Sequence, residues 1–274
     1  MTEEKNGFSK SERNDKNRML KVIEDDGYNL KFASESLKDD EDIVKASIKQ
    51  EGIFIEFASE RLRDNIEIAL LAVEQNGLAL GFLSERMQNN FDVVFKAVSQ
   101  TGRALVFAGK TMKDNEEIVL SALRNYPASL KFASKRIRDI KKYVLMALEG
   151  EKDYDFVGLD TKWFKDPIFL FEGVKITNKL LKKFDREFLS REMVLAFVKR
   201  DGLNLEYLPE YCDDFEIVKE AVSQNGMALK FASNKLKDNL QIALIAMSKD
   251  IEASRYIGEN VRKYLRSIPD RFPG

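Results

Sequence analysis

The groups left to do chemistry in this sequence are those of Asp, Glu, Lys and Tyr, because it has no histidine and a single cysteine. Without imidazole there is no Ser-His or Cys-His nucleophile pair and no His-ligated zinc. Nor is there a side chain whose ordinary pKa suits acid–base work near neutrality. Cys212 would need a neighbouring cation to act as a thiolate, and its sequence neighbours Asp213 and Asp214 are anions. It stands ten residues after Gly202, the offset of Leu37, Leu62 and Leu236 from their own glycines. It therefore reads as a small buried core residue. One cysteine also excludes an internal disulfide and fits a reducing compartment: the cytoplasm, or a host cytosol for a delivered effector.

The 45 basic and 46 acidic residues leave a net charge of −1. No global field then steers the chain to nucleic acid or anionic lipid, and any such affinity must come from a local patch. Two patches stand out. Lys131, Lys135, Arg136, Arg138, Lys141 and Lys142 cluster with only Asp139 opposing them, and the acids Glu149, Glu151, Asp153 and Asp155 follow. The cluster either pairs with these acids across adjacent units or meets an acidic partner. Beyond it stand the only tryptophan, Trp163, and Phe164, with Phe169 and Phe171 close behind. These aromatics either fill an irregular joint or anchor a partner protein. The second patch is a periodic column of Lys38, Arg63, Lys113, Arg138 and Lys237, with Arg61, Arg86, Arg136 and Lys235 two positions earlier. Stacking would align it into a ridge able to follow a phosphate backbone. The same cations also suit the C-terminal dipole of the helix they close and the acids that follow.

The elements that carry these residues recur. Gly27, Gly52, Gly77 and Gly102 stand 25 residues apart, Pro127 takes the next place, and the spacing resumes at Gly202 and Gly226. A fixed period of this size marks a stacked repeat protein. Before each glycine, apolar residues such as Ile68, Ala69, Ala72 and Val73 form one helical face. Asp64 with Glu67, and Asp114 with Glu117, read as capping boxes. On that reading Lys142 sits in an acidic capping slot, where a cation opposes the helix dipole. The glycine is expected to end the helix in a left-handed conformation. After it, Phe32, Phe57, Phe82, Phe107, Phe132 and Phe231 recur as a column that reads as core, within a second helix.

Helices this short are marginal alone, so stacking must supply the missing surface. The expectation is an all-α fold, an α-solenoid of about ten two-helix repeats with the central two degenerate. A version in which one helix is a short 3₁₀ segment is the alternative. The stretches are an N-terminal tail at 1–14, a repeat array at 15–149, diverged repeats at 150–190, a second array at 191–266 and a C-terminal tail at 267–274. No apolar run is long enough to span a bilayer, and the first residues lack the apolar core of a signal peptide.

The recurring D-x-E-I-V-x-x-A-V-x-Q-N-G-x-A-L-x-F-A-S-x-x-L-K-D pattern, clearest at Asp39 to Asp139 and Asp213 to Asp238, resembles the repeat family known as domain of unknown function 4116. The resemblance implies a helical repeat and brings no catalytic residue with it. The residues then favour a non-enzymatic protein that binds another protein as scaffold, inhibitor or effector. The contact would lie at Lys131, Lys135, Arg136, Arg138, Lys142, Trp163 and Phe164, with no cofactor, metal or membrane. Nucleic-acid binding along Arg61, Arg63, Arg86, Lys113, Lys235 and Lys237 is the second reading. An enzyme using carboxylates or lysines in the diverged centre is the third.

Overall fold

The computed structural model describes residues 7–149 and 160–268, and every element among them is an α or 3₁₀ helix. The chain divides into two compact units, 1–160 and 161–274. The acids Glu151, Asp153 and Asp155 lie outside the described residues.

In the first unit, five repeats each contain three elements rather than two. The third is representative: a long helix Ile66–Gln75, a 3₁₀ segment Gly77–Phe82 and a short helix Glu85–Gln88. Repeats 1, 2, 4 and 5 have their long helices at Lys16–Asp25, Glu41–Gln50, Phe91–Gln100 and Glu116–Asn125, and a sixth opens with Lys141–Glu149. The expected second helix is therefore a 3₁₀ segment followed by one α turn. The long helix buries the predicted stripe completely, with Ile68, Ala69, Ala72 and Val73 all at 0% exposure.

The sequence motif has a physical meaning letter by letter. The residue after the expected Asp is the true N-cap: Asn65 Oδ1 accepts from the backbone N–H groups of Glu67 (2.9 Å) and Ile68 (3.3 Å). The Asp-based capping box is thus displaced by one residue, and Asp64 is freed for another task. The Gln two places before the glycine reaches back one repeat. Gln50 accepts from Gly27 N–H at 2.8 Å and donates to the Ile23 and Glu24 carbonyls at 2.8 and 2.7 Å, satisfying orphan groups at a helix end. The Asn caps the 3₁₀ segment, as Asn76 does by accepting from Leu78 N–H at 2.9 Å.

The glycine is not left-handed. Among the described glycines only Gly7 has positive φ. A Cβ at Gly52, Gly77 or Gly102 would instead stand under 3.0 Å from the carbonyl oxygen of Ala72, Ala97 or Ala122. Each of those carbonyls belongs to the long helix of the next repeat. The spacing marks the points of closest approach between repeats. The phenylalanines also differ from expectation. Leu30, Ile55, Leu80, Leu105 and Leu130 are the large buried residues of the 3₁₀ segments, at 0–1% exposure. Phe32, Phe57, Phe82 and Phe132 are only half-buried, and Phe107 is 40% exposed. In a three-residue turn the fourth position faces the core and the sixth lies at its edge.

The second unit repeats the plan with long helices Pro167–Val174, Arg191–Arg200, Phe215–Gln224 and Leu240–Lys249. Gly202 and Gly226 approach the Ala221 and Ala246 carbonyls as their counterparts do. A backbone hydrogen bond joins neighbouring repeats in both units. Ser59 N–H donates to the Lys38 carbonyl at 2.9 Å, Ser84 to Arg63 at 3.1 Å and Ser233 to Cys212 at 2.7 Å. Asp185 N–H to the Phe164 carbonyl at 2.8 Å keeps this bond within the diverged stretch. That equivalence puts Cys212 in the slot of Arg63, one place from the expected core slot, and Cys212 is accordingly only half-buried.

Candidate interaction surface

The basic column resolves into two sets with different partners. Arg61, Arg86, Arg136 and Lys235 reach back to the Asp that closes the preceding short helix. Arg61 Nε donates to Asp39 at 2.9 Å and Arg86 Nε to Asp64 at 3.0 Å. Arg136 donates to Asp114 at 3.0 Å and to Glu116 at 3.2 Å, and Lys235 to Asp213 at 3.4 Å. The serine two residues before each cation, Ser59, Ser84, Ser134 or Ser233, donates to the same carboxylate. Serine, cation and carboxylate form a clasp between consecutive repeats. Repeat 4 carries a neutral version, Thr111 Oγ1 to Asn89 Oδ1 at 2.9 Å.

The clasps shift the carboxylates. Ser134 and then Arg136 hold Asp114 below the ordinary carboxylate range, Arg86 and then Ser84 do so for Asp64, and Ser59 with Arg61 for Asp39. These hydrogen bonds favour the charged form. The other set turns inward. Lys113 Nζ donates to the Val106 carbonyl at 2.7 Å, and burial pushes its pKa down. Arg63 and Arg138 bury their Nε atoms, and Lys237 is half-buried. The predicted ridge is therefore not an open run of cations. Stacking brings the cations into line, as expected, but commits Arg61, Arg86, Arg136 and Lys235 to carboxylates and Lys113 to a carbonyl of the array itself.

The predicted central site divides in the same way. Trp163 is 7% exposed, in the slot that Leu62 fills in repeat 2, with its ring 5.1 Å from that of Phe169. It is a core residue of the second unit, not an exposed anchor. Phe164 is half-buried beside it in sequence and belongs to the inter-repeat bond described above. In the first unit Arg136 is clasped and Arg138 turns inward. Lys142 is exposed, with its ammonium 5.7 Å from the Tyr143 ring centroid. Ile140 takes the N-cap place before it, so that helix lacks the polar cap of its neighbours.

Lys131 and Lys135 remain exposed and form no ion pair with a described residue. They stand on an edge made by the 3₁₀ segments and the starts of the short helices. Arg103 and Lys110 of repeat 4 share that edge, also exposed and without an ion pair to a described residue. Phe107 and Phe132 lie among them, with Lys131 Nζ 5.0 Å from the Phe132 centroid. The edge was missed in the sequence because its aromatics obey the core period. Only the 3₁₀ turn reveals that the sixth position reaches the surface.

One cavity of about 450 Å³ is lined by Glu60, Arg61, Arg63, Asp64 and Ser84, from two neighbouring clasps, and another of similar size lies between Leu20, Lys45, Leu71 and Glu74 on the long helices. Among the described residues no group of three or more Asp, Glu or Cys side chains is placed to hold a metal, and no helix is long and apolar enough to cross a membrane.

No curated protein matches the chain. No solved structure matches it either. The family model described as Domain of unknown function (DUF4116) matches residues 15–63, 65–113, 102–138 and 214–262, each of the 49-residue matches spanning two of the repeats above. These matches cover more than half of the chain, and the protein belongs to the DUF4116 family of tandem helical repeats.

Proposed function

We propose that the protein is a non-enzymatic helical-repeat module that binds another protein along the 3₁₀ edge of its first unit. The observation that carries this reading is the contrast between two sets of charges. The periodic cations Arg61, Arg86 and Arg136 are bound to carboxylates of the array. Arg103, Lys110, Lys131 and Lys135 are exposed, form no ion pair with a described residue, and surround a 40% exposed phenylalanine. Exposed aromatic anchors beside cations are the composition of a contact surface. Stacked repeats supply the rigid, extended scaffold it needs.

The test is affinity capture with the intact chain, comparing wild type with Phe107→Ala/Lys131→Glu and with Arg61→Ala as a control in the clasp. Partners lost by the first variant and kept by the second support the edge. Full retention by the first variant rejects it. A set of captured nucleic acids whose binding falls steeply with salt would favour the phosphate-binding alternative.

A further inference from the structure

Six exposed charges of this edge are related by a two-fold correspondence. Repeats 2 and 3 contribute the acids Glu56, Glu60 and Glu85, and repeats 4 and 5 contribute the cations Lys110, Lys131 and Lys135. All six are exposed and none forms an ion pair with a described residue. The match holds position by position. Glu56 and Lys131 each directly precede the aromatic of their repeat, Phe57 and Phe132. Glu60, Glu85, Lys110 and Lys135 each open a short helix. Reversing the order of repeats 2 to 5 therefore exchanges Glu56 with Lys131, Glu60 with Lys135 and Glu85 with Lys110.

Between the two charged ends the edge is apolar apart from Arg103. The 3₁₀ segment of repeat 3 carries no charge, with Leu78, Gly81 and Phe82 at its surface, and that of repeat 4 carries only Arg103 beside Val106 and Phe107. Phe107 lies against Gly81, where a Cβ would meet its ring at 2.9 Å. The centre is thus an apolar strip interrupted by Arg103, with opposite charges at either end.

We infer that this edge is the interface of an antiparallel homodimer. The second copy is related by a two-fold axis lying in the interface, across the stack between repeats 3 and 4. Such an axis keeps each column of side chains and reverses the order of repeats. Glu56, Glu60 and Glu85 of one copy then face Lys131, Lys135 and Lys110 of the other, and each pair occurs twice. Phe82 meets Phe107 and Phe57 meets Phe132 across the axis. An isologous interface requires this kind of self-complementarity, and an apolar centre with a charged rim is the ordinary anatomy of one. With helix spacings of about 10 Å, repeats 2 to 5 extend over about 30 Å, the scale of a standard interface. A polyanion lying along the same edge would gain the cations but be repelled by the three acids, so a second copy fits better than nucleic acid. The inference rests on reading the edge as a contact surface and specifies what covers it.

Analytical ultracentrifugation of the full chain tests it, over about 1 to 100 µM and at two salt concentrations. The wild type is expected to dimerise, more weakly at high salt. Glu56→Lys/Glu60→Lys makes both ends of the edge basic, and Lys131→Glu/Lys135→Glu makes both acidic. Each variant is expected to lose at least about tenfold in dimer affinity while keeping the wild-type circular dichroism spectrum. An equimolar mixture of the two should recover a heterodimer, because every facing pair is again opposite in charge. A wild type that stays monomeric throughout overturns the inference, including one that binds added poly-glutamate instead. So does a mixture that fails to associate, or a variant that dimerises like wild type. If the wild type is monomeric yet the edge variants still lose captured partners, the edge is a contact surface for another protein and only the second copy is refuted.

Discussion

Adding one methyl group at Gly77 tests what the 25-residue spacing is for. Gly77 lies outside the left-handed region, so alanine is conformationally allowed there. On that ground alone Gly77→Ala should stabilise by about 0.4–1 kcal/mol, through lost freedom of the unfolded chain. The close approach acts in the opposite direction. The new Cβ would stand under 3.0 Å from the Ala97 carbonyl oxygen, with Gln100 Oε1 and Thr101 Cβ each at 3.0 Å. The carbonyl is helix backbone and cannot rotate away, so repeats 3 and 4 must separate. Overpacking of this kind costs about 1–3 kcal/mol. The hydrogen bond from Gly77 N–H to Gln100 is strained at the same time, worth about 0.5–1.5 kcal/mol. The net expectation is a destabilisation of about 1–3 kcal/mol. Urea unfolding gives the total. Hydrogen exchange should show faster opening in repeats 3 and 4, with residues 191–268 unaffected. A change within about 0.5 kcal/mol, the range of neutral surface substitutions, or a net stabilisation, would refute the close-approach account. Gly81→Ala is the internal comparison. Its Cβ would press on the half-exposed Phe107 ring, which can swing outward, so a smaller loss is expected.

Three further outcomes follow from the structure. Leu80→Ala, at 0% exposure, should cost about 2–5 kcal/mol in urea unfolding, and Phe107→Ala distinctly less; equal losses would return the phenylalanine column to the core. The clasp carboxylates Asp39, Asp64 and Asp114 are depressed in the folded state, so their stabilisation is present above the unfolded value of about 4. It is lost as pH falls through the lower folded values. Thermal melts should therefore show stability dropping below about pH 4, and Asp39→Asn/Asp64→Asn/Asp114→Asn should flatten that drop; an unchanged acid profile would mean the clasps do not contribute. Trp163, packed on Phe169, should emit at the blue wavelengths of a buried indole, and Trp163→Ala should cost about 3–5 kcal/mol. A water-like emission, or a stable Trp163→Ala variant, would contradict its place in the core.

Much of the fold was legible because burial follows helical period. Ile68, Ala69, Ala72 and Val73 could be assigned to one buried face before any coordinates, since a 3.6-residue turn leaves few alternatives. The 3₁₀ segment was harder to read. Its fourth residue is core and its sixth is edge, but leucine and phenylalanine there look alike to a hydrophobicity pattern. The cap at Asn65 was missed because Asp64 beside it is an equally good capping residue. The partner that decides between them, Arg86 of the following repeat, lies 22 residues away.

The sequence by itself determined the repetition and the helical class. These depend on local period and on one residue type recurring at fixed intervals. Only the tertiary structure decided what the charges and aromatics do. Whether a cation is a free contact or half of a clasp depends on which carboxylate stacking brings within about 3 Å, a distance that no spacing along the chain contains. For that reason Arg136 and Lys135, adjacent in the same basic cluster, part company: one is bound inside the array and the other is left on its edge.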